Sequence, residues 1–184
     1  IEDTIAILSE AIPEWAISFF GIIRSGATVV PLEVKLTFNE LESILFNCQP
    51  KILLVSDKHK EMAKQLKSKL SFIKEIIVID NIPQEEDITS LYRLEMPKKG
   101  KYINRNLEET ALLVYTSGTT GNPKGVEITF KNLTTQLLDL STAFQLSSKD
   151  VFLSILPINH LLELTCGFLG VLYSGGTIVY SESL

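Results

Sequence analysis

Four short apolar, β-prone runs, at residues 5–8 (IAIL), 28–31 (TVVP), 52–55 (ILLV) and 76–79 (IIVI), recur about every 24 residues. A helical pattern fills each gap. A strand that returns to its sheet only after a helix must run parallel to its predecessor, because antiparallel neighbours need no more than a short turn. The beat therefore predicts an α/β fold: a layered domain with a largely parallel sheet flanked by helices. The 184 residues are enough for one such domain with a substantial core.

The helices can be placed by period and by punctuation. After Pro13, which suits a first turn, Trp15, Phe19, Ile22 and Ile23 fall on one face. Thr37 and Glu40 have the spacing of a capping box ahead of Leu41, Ile44, Leu45 and Cys48. A third helix turns Met62, Leu66 and Leu70 inward. Its lysines, at 58, 60, 64, 67 and 69, form either a solvated face or a reader of anionic patches. From residue 81 to 106 the apolar period disappears and Pro83 and Pro97 appear, which predicts a loop-rich excursion. Beyond it, Phe130, Leu133, Leu137, Leu140 and Phe144 mark an amphipathic helix, and residues 151–156 read as a strand ended by Pro157.

Residues 112–125, LLVYTSGTTGNPKG, carry an apolar strand into a loop of hydroxyls and glycines that closes on Pro123 and Lys124. Thr116, Ser117, Thr119 and Thr120 offer hydroxyls. Gly118, Gly121 and Gly125 permit a tight backbone whose N–H groups can meet a polyanion. Lys124 adds a cationic point charge. A Walker A loop is excluded, because Gly118 and Gly121 are too close, Pro123 occupies the position of the glycine before the lysine, and Gly125 stands where a metal-binding hydroxyl is needed. The residues after Lys124 alternate as a strand rather than opening a helix. The plainer alternative for this stretch is a surface turn rich in Ser, Thr and Gly.

The string YTSGTTGNPKG resembles the phosphate loop (115–125) of the adenylate-forming superfamily, which includes acyl- and aryl-CoA synthetases, peptide-synthetase adenylation domains and luciferases. The resemblance implies that the loop wraps the β- and γ-phosphates of ATP while a substrate carboxylate attacks the α-phosphate, giving an acyl-adenylate and pyrophosphate. It makes Thr116, Ser117, Gly118, Thr119, Thr120, Gly121 and Lys124 the ATP contacts, gives Lys124 a catalytic role, and makes Thr119 a ligand for a phosphate-bridged Mg2+. One departure follows the loop: Phe130 stands where the family usually has a histidine, a change expected to alter packing more than chemistry. The chain begins at Ile1, already close to a strand. Against the family pattern it is expected to be one partial α/β domain over 1–184, about a third of a typical member, with the rest of the N-terminal part and the C-terminal domain outside it.

Residues 156–163, LPINHLLE, resemble the proline–x–x–histidine element of the same superfamily, and the glutamate three residues after the histidine looks most like the acyl-CoA synthetase branch. By that resemblance His160 lies near the reacting carboxylate. On its own it could equally be a helix-start histidine satisfied by backbone. Glu163 sits in an apolar helix and needs a partner if buried, either a distant basic residue or His160 itself. Leu161, Leu162, Phe168 and Leu172 are core residues or the wall of a fatty-acyl pocket.

Composition removes several classes. A net charge of −5 opposes a nucleic-acid footprint and gives no basic patch for an acidic membrane. The most apolar region, 161–180, is interrupted by Glu163, Gly175 and Gly176, short of the roughly 20 uninterrupted apolar residues of a transmembrane segment. It reads as a buried helix followed by a strand. Cys48 and Cys166 are isolated, with neither disulfide nor zinc spacing, which suits a reducing cytoplasm. Three readings stand: a synthetase using ATP, Mg2+, a carboxylate (most simply a fatty acid) and CoA as co-substrate; an adenylating enzyme that loads an acyl-carrier protein with an amino or aryl acid; and a non-catalytic nucleotide-binding module. For this stretch alone the resemblance implies partial ATP-site chemistry without turnover.

Overall fold

A computed structural model describes residues 3–85, 88–95, 103–116 and 123–181. The elements run β1 (Thr4–Leu8), α1 (Pro13–Ser25), β2 (Thr28–Pro31), α2 (Phe38–Cys48), β3 (Ile52–Val55), α3 (Lys60–Lys69), β4 (Glu75–Val78), β5 (Thr89–Ser90), β6 (Thr110–Thr116), β7 (Lys124–Thr129), α4 (Phe130–Ala143), β8 (Val151–Ser154), a π-helical segment (Glu163–Leu169), α5 (Gly170–Tyr173) and β9 (Thr177–Tyr180). The main sheet has the order β5-β4-β3-β1-β2-β6-β7. Every pairing in it is parallel except β6 with β7. A second, two-stranded parallel sheet joins β8 to β9. The predicted α/β class and largely parallel sheet are what the chain adopts.

Alternation along the strands divides the core between two faces. Ala6, Leu8, Val30, Leu53 and Ile76 turn toward α2 and α3, whereas Ile7, Val29, Leu54 and Ile77 turn toward α1, α4 and the π-helical segment. The central strands are thus buried on both sides, as parallel strands require. On the second face Phe168 stands edge-on to Trp15 at 5.5 Å and to Phe19 at 5.4 Å, locking the π-helical segment to the first helix. Such aromatic pairs contribute about 0.5–1.5 kcal/mol each beyond area burial.

Local signals act as expected at α1, where Pro13 opens the helix and Gly26 closes it at φ 85°. In α2 the Thr37 N–H and hydroxyl both donate to Glu40 Oε2, at 2.8 and 2.7 Å. In α3 the inward residues are Ala63 and Leu66, with Met62 half-buried beside them. Four of the five lysines are held: Lys60 and Lys64 reach Glu85 at 3.1 and 3.3 Å, Lys58 lies 3.0 Å from Glu10 and Lys69 3.3 Å from Glu42. The 81–106 excursion is not wholly loop, because Thr89 and Ser90 extend the sheet beyond β4 and a 3-10 turn follows at Leu91–Arg93. A two-residue strand carries no apolar period, so nothing in the residues announced it. Phe130 packs into the second core face with the Arg105 guanidinium 5.2 Å over its ring, in keeping with a packing role.

The order β3-β1-β2 makes the neighbours of β1 lie on opposite sides of it, and the loops after β1 and β3 meet at their carboxyl ends. There Glu10 accepts from the Ser56 hydroxyl at 2.8 Å and lies 3.0 Å from Lys58 and 3.1 Å from His59. Partial burial raises the Glu10 carboxyl, but the Ser56 hydroxyl, its own backbone N–H, Lys58 and His59 outweigh it and bring the group from 4.5 down to about 2. A depressed carboxylate contributes stability above its unfolded value and loses it as the pH falls through the folded value. Relative to Glu10→Gln, the wild type should therefore have the higher urea midpoint at pH 6, with the gap closing between pH 4.5 and 2. A gap that persists unchanged at pH 2 would remove the carboxylate from this role.

Candidate active site

Because β2 and β6 are parallel, their carboxyl ends lie at the same edge of the sheet. That edge is where open α/β sheets leave room for ligands. The chain turns at the end of β6 and returns antiparallel as β7, so that Thr116 faces Lys124 and Tyr115 faces Gly125 across the ladder. Gly125 leaves room for its neighbours. A Cβ there would stand 3.0 Å from Leu113 Cδ1 and 3.3 Å from the Tyr115 ring, which lies across the strand. The Tyr115 hydroxyl donates to Asn47 Oδ1 of α2. Burial, then the neighbouring Cys48, pushes the phenol above its usual value, and burial pushes the Cys48 thiol up to about 12. Tyr115 is therefore a neutral strut between the hairpin and α2.

A cavity of about 850 Å³ opens between the β2–α2 loop, the β6–β7 hairpin and the turn before the π-helical segment. Glu33, Tyr115, Thr116, Pro123, Asn159 and His160 are among its walls. Lys124 is exposed at the rim and, among the described residues, makes no ion pair. The structure thus brings Thr116 and His160 to one space, with Lys124 beside Thr116 across the ladder, although 44 positions separate Thr116 from His160. The other expected phosphate-loop residues, Ser117, Gly118, Thr119, Thr120 and Gly121, lie outside the described residues.

His160 is placed by a short turn. Its N–H donates to the Pro157 carbonyl at 3.0 Å, and its own carbonyl accepts from Leu164 N at 2.9 Å. The imidazole is 61% exposed, with Nε2 3.4 Å from Glu33 Oε2, so it is not a helix-start histidine consumed by backbone. Glu163 does not pair with it. Its carboxylate is buried and accepts from the Ser154 hydroxyl of β8 at 2.6 Å, and a rigid, short-range hydroxyl contact replaces the ion pair considered above. Of the four apolar residues weighed as core or pocket, Phe168 is core at 1% exposure. Leu161, Leu162 and Leu172 are 43%, 64% and 41% exposed, and Leu161 lines the cavity.

Glu33, Asn159 and Tyr115 also line the cavity, although neither motif gives them a role. Position at the carboxyl end of a parallel strand is the signal that marks Glu33; adjacency to His160 marks Asn159. Among the described residues no group of three His, Cys, Asp or Glu side chains could hold a metal ion, and no helix is long and apolar enough to cross a membrane.

The family of AMP-binding enzymes matches residues 1–184, and the chain belongs to that family. An oxalate–CoA ligase of Arabidopsis thaliana is 27% identical over 176 residues, which are 96% of this chain and 34% of that protein. A dimodular nonribosomal peptide synthase of Bacillus subtilis is 28% identical over 157 residues, 85% of this chain and 6% of that protein. Among solved structures, ATP-bound MatB from Rhodopseudomonas palustris superimposes with a TM-score of 0.83 at 24% identity, covering 100% of this chain and 36% of that one, a likeness of fold. The chain spans about a third of the length of the curated CoA ligases it matches.

The buried Glu163 lies directly over Gly167, one turn on: a Cβ at Gly167 would stand 2.7 Å from the carboxyl carbon. Helical Gly→Ala ordinarily stabilises by up to about 1 kcal/mol. Gly167→Ala should instead destabilise by roughly 1–3 kcal/mol through overpacking, read as a lower urea midpoint. A raised midpoint would show that the carboxylate has room to move.

Proposed function

We propose that this chain supplies the phosphate-binding side and part of the acid-binding wall of an enzyme that activates a carboxylic acid with ATP, forming an acyl-adenylate and then a thioester. The observation that carries this reading is the meeting of Thr116, paired with Lys124, and His160 at one cavity at the carboxyl edge of a parallel sheet. Membership of the AMP-binding enzymes supports it. The hydroxyls and glycines of residues 117–122, which join β6 to β7 in sequence, are the groups assigned to the β- and γ-phosphates. Lys124 at the rim meets the charge that builds as pyrophosphate leaves. Charge-assisted hydrogen bonds of this kind are worth about 1.5–3 kcal/mol each. The reaction sets two anions against each other, so charge compensation and alignment carry most of the catalysis.

His160 lies on the far wall, where the acid would bring its carboxylate. Leu161, exposed into the same cavity, suits an apolar acyl group, which favours a fatty acid. Mg2+ needs few protein ligands when phosphates supply the rest, and the Thr119 hydroxyl is the donor this chain offers. When bound, the ion neutralises phosphate charge. CoA is the proposed thiol acceptor, in line with the ligases that the chain resembles. The likeness to a peptide synthase favours a second reading, transfer to an acyl-carrier protein. Two unpaired cysteines, one of them buried, suit the reducing cytoplasm as its compartment.

In the full-length protein, Lys124→Ala should lower carboxylate-dependent ATP–pyrophosphate exchange about a hundredfold at unchanged thermal stability. Exchange within a factor of two of wild type would end the role assigned to Lys124. A panel of fatty, aryl and amino acids, each followed by assay of CoA and carrier-protein acceptors, decides substrate and acceptor class. Exchange with fatty acids and thioester formation on CoA are expected; exchange with no acid would overturn the activation reading.

A further inference from the structure

Glu33 follows β2 by two residues and spans the cavity to a turn more than a hundred residues away. Its Oε2 accepts from Asn159 Nδ2 at 3.0 Å and lies 3.4 Å from His160 Nε2. Its other oxygen, Oε1, is buried with no hydrogen-bond partner among the described residues. A buried carboxylate oxygen left unpaired costs free energy, and exchange for an apolar or neutral side chain would remove that cost. One carboxylate oxygen is thus left over by the fold, and the contacts of the other go to the two residues that present the imidazole.

We propose that Glu33 is a positioning residue for His160, holding the imidazole by its Nε2 edge so that Nδ1 is the nitrogen offered to the acid substrate in the cavity. The inference rests on the acid-activation reading above. In the neutral ring a carboxylate at Nε2 keeps the proton on that nitrogen and leaves Nδ1 with its lone pair. Asn159, sharing the same oxygen, fixes the turn on which His160 sits. The β2–α2 loop and the LPINH turn are joined across the cavity in this way, and the distance between His160 and the phosphate-binding hairpin no longer depends on a freely rotating side chain.

The test uses the full-length protein and measures carboxylate-dependent ATP–pyrophosphate exchange and thermal unfolding together, for wild type, Glu33→Ala, Glu33→Gln, His160→Ala and the Glu33→Ala/His160→Ala double variant. Gln keeps an oxygen that can accept from Asn159 and His160 alike but carries no charge to hold the proton on Nε2. Both Glu33 variants should lower kcat for exchange about tenfold or more, with the KM for ATP within twofold. Their Tm should be unchanged or raised, and Glu33→Ala should cost nothing further once His160 is alanine. Equal losses on both backgrounds, a loss that follows a fallen Tm, a fully active His160→Ala, or undiminished exchange in the Glu33 variants would each overturn the inference while leaving the activation reading in place. A wild type without exchange under any acid would overturn both.

Discussion

The shared direction of six strands is the constraint on which the rest depends. Parallel pairing sends the loops after β1, β2, β3, β4 and β6 to one edge of the sheet, and burial of both faces leaves that edge as the place where polar chemistry can sit. Glu10 and its partners occupy it at the centre; Glu33 and Thr116 occupy it toward β7. The single reversal, β6 into β7, sets a hydroxyl and a lysine side by side at its rim. A hairpin at that point suits a polyanion that must be held along its length, whereas a helix N-terminus would hold one phosphate at its tip.

Much of this architecture is written in local residue patterns. Three of the four apolar runs coincide with strands to within a residue at either end, and the fourth is displaced by one, from 76–79 to Glu75–Val78. Pro13, the Thr37–Glu40 box and the alternation after Lys124 each act within a few residues of chain, so they survive whatever the tertiary structure does. The misses share a different cause. The β5 strand exists only because β4 offers it an edge; the pairing of Glu163 with Ser154 is settled by how β8 packs; and Leu162, apolar and helical in period, is left facing outward. Thr116, Lys124 and His160 were recognisable because their motifs are contiguous. Glu33 belongs to no motif, since its partners lie across the cavity.

Two glutamates of this region, Glu163 buried and Glu33 partly so, illustrate opposite solutions to one difficulty. Glu163 is matched by a hydroxyl at short distance and by a glycine that makes room for it, a self-contained arrangement close to the cavity but outside its walls. Glu33 is left half-matched, and its single bonded oxygen reaches residues of the cavity wall. Charge that a fold fully satisfies serves packing; charge that it leaves partly unsatisfied is the kind a binding site can use.

The two cysteines differ in a way that has a practical meaning. Cys48, buried beneath Tyr115 with its thiol raised to about 12, stays protonated and shielded at neutral pH, whereas Cys166 is partly open on the π-helical segment. Thiolate, not thiol, reacts with electrophiles. A maleimide fluorophore added to the folded chain would therefore attach at one place, six residues beyond His160, turning a native side chain into a spectroscopic reporter on the π-helical segment without any engineered substitution.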